Sequence, residues 1–146
     1  MKPTVAKMVA AEQAAGLLTL APYRKLAERA QTIKSHVVAA VRERKAQGKS
    51  VVGFGAAVGT TALLYFFDIA KDIDYLADDN PVRQGLFSPG HHIPVIPSTE
   101  LAARRPDSVI VFPWRYTEPI LKNQTAYLKN GGEFIVPLPD VKVIRK

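Results

Sequence analysis

Apolar residues along the chain change their period several times, and each change marks an element. The stretch 4–15 is alanine-rich and reads as a first helix. Pro22 suits the first turn of a second helix. From there Leu26, Ala30, Ile33, Val37 and Val41 recur at three- and four-residue steps, which predicts one apolar stripe over 22–47. Gly48 supplies the stop. Ser50 to Gly55 then reads as a short buried strand entering a glycine turn, and Thr60 to Phe67 as a helix apolar nearly all round. Ile73 to Ala77 predicts a second strand, ending in Asp78-Asp79-Asn80-Pro81.

The stretch 81–97 holds four prolines and two glycines, so it reads mostly as loop, with Ile93 to Ile96 a short edge strand. A small helix is expected near Ser98. Ser108 to Phe112 is the clearest strand. Thr117 is expected to cap a helix through Leu128 that Gly131-Gly132 ends. Strands over Glu133 to Val136 and Val141 to Ile144 complete the order. Strands alternating with helices imply an α/β fold: a mostly parallel sheet with helices on both faces, preceded by two N-terminal helices.

Composition narrows the picture without redirecting it. With 146 residues, 47% hydrophobic and 23% charged, the chain can close one core. Cysteine is absent, so neither a disulfide framework nor a cysteine zinc site is available. Lys2 and Lys7 precede an alanine-rich stretch, but Glu12 and Gln13 interrupt it and Gly16 to Leu20 is too short for a signal-peptide core. No run approaches the ~18 apolar residues that span a bilayer. The expected location is cytoplasmic, with no membrane partner. The net charge of +7 raises nucleic acid as a partner, yet Arg24, Lys25, Arg29, Lys34, Arg42, Arg44 and Lys45 are interleaved with Glu28 and Glu43. That pattern reads as a solvated helix face, not a nucleic-acid surface, and it stays compatible with a phosphate-bearing small ligand.

Four segments carry candidate chemistry. Gly53-Phe54-Gly55-Ala56-Ala57-Val58-Gly59 lies between a strand and a helix, where glycines let a phosphate or ribose approach the helix N-terminus. Asp78 and Asp79 follow roughly 20–25 residues on, where a carboxylate meets ribose hydroxyls in dinucleotide-binding folds. The plainer account is tight strand-to-helix packing and a turn before Pro81. Methyltransferase glycine loops usually carry a carboxylate two residues before the first glycine; here that position is Val51, so no donor site is expected in this loop. His91-His92 sits on a proline-stiffened loop, either touching a ligand or bonding the loop backbone; with no further His or Cys nearby, a metal site is not expected. Trp114, Arg115 and Tyr116 follow the best strand. Trp114 and Tyr116 can stack on a base or sugar while Arg115 forks onto a phosphate, or Trp114 can cap the core. No Ser-His-Asp arrangement, HExxH motif or P-loop is present, which favours a binding domain over a complete catalyst.

Taken together, Gly53-Phe54-Gly55-Ala56 with Gly59-Thr60-Thr61 and Leu63-Leu64, Asp78-Asp79-Asn80-Pro81 with Gly85, Pro89 to Val95, Trp114-Arg115-Tyr116, and Gly131 to Pro139 resemble the C-terminal domain of the C-methyltransferases acting on nucleotide-linked deoxysugars. The leading helices, with a Gly-Leu and a Tyr, fit as well. The resemblance implies a Rossmann-like three-layer domain over 49–146, with 1–48 as a helical segment in one compact unit with it. It also implies that the domain binds a nucleotide or nucleotide sugar, while S-adenosylmethionine and the catalytic base belong to a separate methyltransferase domain or subunit. The residues it points to are Gly53, Gly55, Asp78, Asp79, Asn80, His92 and Trp114; Ala56, Thr60, Arg115 and Tyr116 join them from their position. Two other readings stand beside it: a non-catalytic domain docking onto a methyltransferase subunit through the 22–47 helix, and a nicotinamide-binding domain resting on the glycine loop and Asp78.

Overall fold

A computed structural model describes residues 2–145. They fall into two compact units that divide within the second helix, one up to Thr32 and one from Ile33. The first holds α1 (Pro3–Ala14) and the start of α2 (Ala21–Ala46). Pro3 takes the first position of α1, where its missing N–H costs nothing. Between the helices Gly16 adopts φ 72, a left-handed conformation that ends α1. The Tyr23 hydroxyl donates to the Leu17 carbonyl at 2.9 Å and fixes the turn. No described residue up to Thr32 is buried. The expected stripe is therefore covered only in part: Ile33, Val37 and Val41 are buried, whereas Leu26 is 66% exposed.

The second unit is built on six strands: β1 (Val51–Phe54), β2 (Leu76–Asp78), β3 (Val95–Pro97), β4 (Ser108–Val111), β5 (Glu133–Val136) and β6 (Lys142–Ile144). Their order across the sheet is β3-β2-β1-β4-β5-β6. The first five run parallel and β6 pairs antiparallel with β5. This is the order of doubly wound dinucleotide-binding sheets, apart from the reversed last strand. The connecting helices are α3 (Val58–Phe67), α4 (Leu101–Arg104), α5 (Thr117–Asn123) and α6 (Thr125–Lys129). The fold is the mostly parallel Rossmann-like α/β sheet that the element order implied.

Alternation along each strand divides the core in two, because successive side chains leave a strand on opposite faces. Val51, Leu76, Val95, Ile110 and Ile135 face α2 and α3, packing with Val37, Val41, Leu64 and Phe67. Val52, Phe54, Val109, Val111, Phe134 and Val136 face α4 to α6, packing with Leu101, Ile120, Tyr127 and Leu128. Gly132 has no side chain because the Tyr127 ring occupies that space: a Cβ there would lie 2.2 Å from the ring.

Three elements differ from expectation. The second strand begins at Leu76, because a 3-10 turn over Ala70–Asp72 occupies the approach to it. The helix expected through Leu128 breaks at Gln124, whose backbone leaves the helical region. Thr117 does not cap α5: a 3-10 turn over Trp114–Tyr116 leads into the helix, and the Thr117 hydroxyl donates back to the Trp114 carbonyl at 2.6 Å.

At the amino ends of β4 and β5 a buried ionic cluster ties α2 to the sheet. Arg44 donates to Glu133, and the Ser108 hydroxyl reaches the same carboxylate oxygen at 2.6 Å. Arg145 takes the other oxygen at 2.6 Å. Burial pushes the Glu133 carboxyl up, but hydrogen bonds from Arg44, Ser108 and Arg145 outweigh it and hold it at about 2.

Candidate functional site

β1 and β4 are neighbours whose connections leave in opposite directions, β1 toward β2 and β4 toward β5. At such a reversal the loops beyond the carboxyl ends part and leave a crevice. A crevice of about 390 Å3 opens there, lined by residues at or beyond the ends of β1 (Gly55, Ala57), β2 (Asp78, Asp79, Asn80) and β4 (Pro113, Tyr116) and by Arg83. Pro119, Ile120 and Asn123 of α5 form the remaining wall.

The glycine loop is shaped for close approach. Gly55 sits at φ +90, and a Cβ there would lie 2.7 Å from Pro113, so only glycine satisfies both backbone and neighbour. Gly53 serves another purpose. Within β1 its missing side chain makes room for Leu76 and Phe112, which a Cβ would approach to 2.5 and 2.6 Å, so it is a packing glycine behind the crevice. Thr60 is buried and donates its hydroxyl to the Gly55 carbonyl at 2.9 Å, which holds the turn from within. No side chain caps the amino end of α3, where the Thr60 N–H turns back to the Ala57 carbonyl at 2.9 Å and the helix dipole favours an anion.

The acidic turn is divided in its duties. Asp78 is buried, and both of its oxygens are engaged. One accepts the Ala56 N–H at 2.6 Å and faces the Arg83 guanidinium at 3.3 Å; the other accepts the Asn80 N–H at 2.8 Å. The carboxylate thus clamps the glycine loop to the end of β2. Asp79 is exposed, with one oxygen accepting from the Ser98 hydroxyl. Asn80 closes its own turn by accepting the Val82 N–H at 3.0 Å.

Of the segments singled out from sequence, Gly55, Asp78, Asp79, Asn80 and Tyr116 come together around this crevice, while Ala56 lies on an adjoining hollow with Val58, Thr61, Arg83 and Pro89. Gly53 and Thr60 support the glycine turn from behind, while Trp114, Arg115 and His92 lie elsewhere. Trp114 and Arg115 stack on each other at 5.0 Å and line a second hollow with Leu138, Lys142 and Ile144. The single 3-10 turn over 114–116 separates neighbours in sequence, sending Tyr116 to the first hollow and Trp114 to the second. His92 is exposed at φ 54 and lines neither, whereas His91 packs on Tyr65 with ring centroids 4.3 Å apart. Arg83, Pro119 and Asn123 are crevice residues that sequence reasoning missed. Arg83 carried a weak signal, a cation five residues after the buried acid; the α5 residues carried none beyond following the best strand. No group of three or more His, Cys, Asp or Glu placed to hold a metal occurs among the described residues, and no helix there is long and apolar enough to cross a membrane.

The methyl donor S-adenosylmethionine asks for a carboxylate free to take its ribose diol and for polar groups around its amino-acid end. Here the acid at the end of β2 is saturated, and Val51, at the start of the glycine strand, is fully buried among apolar residues. No transfer step is assigned to these residues.

Comparison with known proteins agrees with this architecture. The profile of the C-methyltransferase C-terminal domain family matches residues 1–139. C-methyltransferase NovU of Streptomyces niveus is 34% identical over 145 residues, which cover 99% of this chain and 34% of that protein. The chain thus spans about a third of the length of this relative.

Proposed function

The chain belongs to the family of C-methyltransferase C-terminal domains, and from that premise we propose that it holds the nucleotide-linked sugar substrate of a C-methyltransferase at the carboxyl rim of its sheet. The methyl donor and the base that removes the substrate proton are supplied by another domain or subunit. The observation that carries this reading is the crevice at the reversal of strand order, where a glycine turn, the uncapped start of α3 and Arg83 meet. A diphosphate suits such a place, since free backbone N–H groups and a guanidinium both favour an anion. Tyr116, two-thirds exposed on the rim, offers a face for a base or sugar ring. The net charge of +7 favours the same class of ligand.

Asp78 has a positioning duty in this account. By holding Ala56 it presets the loop that approaches the phosphates, so the loop is ordered before ligand arrives. The same engagement weighs against the nicotinamide reading, whose ribose needs that acid free. Isothermal titration of the chain with thymidine and uridine diphosphate sugars tests the proposal. Saturable heat is expected at micromolar to millimolar ligand, with affinity reduced about tenfold in Arg83→Ala. Absence of heat at millimolar ligand contradicts it, and a rise in melting temperature with a nicotinamide dinucleotide but not with the sugar nucleotides favours the other reading.

A further inference from the structure

We infer that the hollow beside Trp114 is a second ligand site, separate from the crevice, and that it takes a planar aromatic ring bearing a carboxylate. The hollow has a volume of about 570 Å3, ample for a small molecule. It opens beyond the carboxyl ends of β4 and β5, beside the start of β6, and its lining meets that of the crevice at Pro119. Leu121, Val136 and Ile144 line it together with Trp114, and all four belong to the core face packed on α4 to α6. The apolar wall is thus fixed from behind.

The charged groups of the hollow are not spent on one another. Arg115 lies over the Trp114 ring at 5.0 Å, and Lys142 is exposed. Among the described residues neither cation is in an ion pair, although Glu118 lines the same hollow. Stacking on an indole engages the face of a guanidinium and leaves its N–H fork for two carboxylate oxygens. Trp114 therefore holds Arg115 without using its donors. A cation set against an aromatic wall selects a ligand whose charge lies beside its ring. A carboxylate bonded directly to an aromatic ring meets that condition. The diphosphate of a nucleotide sugar, a ribose away from its base, does not, and among the described residues no glycine lines the hollow to admit it.

Trp114 is the single tryptophan of the chain, so its emission reports on this hollow. The full chain is titrated at constant ionic strength with benzoate, with benzamide, which keeps the ring and loses the charge, and with acetate, which keeps the charge and loses the ring. A saturable change in Trp114 emission is expected with benzoate at millimolar concentration, and at least about tenfold weaker binding with the other two. Backbone amide shifts at Lys142 and Ile144 should follow the same curve. Arg115→Gln with Lys142→Gln, both at exposed positions, should leave the melting temperature unchanged and weaken benzoate at least about tenfold. No saturation at tens of millimolar benzoate, an equal response to benzamide or acetate, or indifference to the paired substitution overturns the inference. A thymidine diphosphate sugar should leave the benzoate curve in place; displacement of benzoate by it makes the hollow part of the substrate site and overturns the inference too. Sugar-nucleotide binding at the crevice is read at Gly55 to Gly59, so the two proposals fail separately.

Discussion

Single residues decide whether the crevice exists. Gly55 combines a left-handed backbone with a neighbour 2.7 Å from where a Cβ would sit. Gly55→Ala is therefore expected to cost about 1–3 kcal/mol of stability, read by urea unfolding, because strain and overlap act together. Asp78→Ala leaves the Ala56 and Asn80 N–H groups without their acceptor and should cost about 1.5–3 kcal/mol, as charge-assisted hydrogen bonds do. Asp78→Asn should fall between that variant and the native chain, since it keeps the shape and loses the charge. Glu133 gives a prediction in pH. Its folded value, about 2, lies below its ordinary 4.5, so its contribution is complete above pH 4.5 and is lost as pH falls from there toward 2. Melting temperature measured down that range should fall in the native chain and fall less in Glu133→Gln. At pH 7 the same variant should be less stable by about 3 kcal/mol, because buried Arg44 keeps only the exposed Glu43 carboxylate, 4.0 Å away, as counter-charge.

At the scale of elements, periodicity was a good guide wherever one helix or strand faces one environment. The buried part of the α2 stripe, the continuous apolar runs of β1, β4 and β5, and the glycine turn after β1 all read directly from residue spacing. What escaped is what spacing does not encode. The 3-10 turn over Trp114–Tyr116 rotates adjacent side chains into separate hollows, and the helix breaks at Gln124 with no glycine or proline there to mark it. Asp78 was legible as an acid at the right distance, but its capture by the Ala56 N–H depends on how closely β1 and β2 sit, which no local pattern specifies. Residues of one helix should also differ sharply in consequence. Val37, fully buried in the core, should unfold at markedly lower urea as Val37→Ala, whereas Leu26→Ala should change the stability of the isolated chain by no more than about 0.5 kcal/mol.

For the whole molecule, the doubly wound sheet leaves a crevice beyond β1, β2 and β4 at the reversal of strand order, and the proposed substrate site is placed there. The proposal places a phosphate-bearing substrate at this lining and leaves methyl transfer to another domain or subunit. Backbone NMR of the labelled chain, titrated with a thymidine diphosphate sugar, tests that assignment most directly. The account predicts saturable shifts at Gly55 to Gly59, Asp79 to Arg83 and Tyr116, with β6 and α1 silent. Shifts confined to the hollow beside Trp114 and Lys142, or none at saturating ligand, would contradict it.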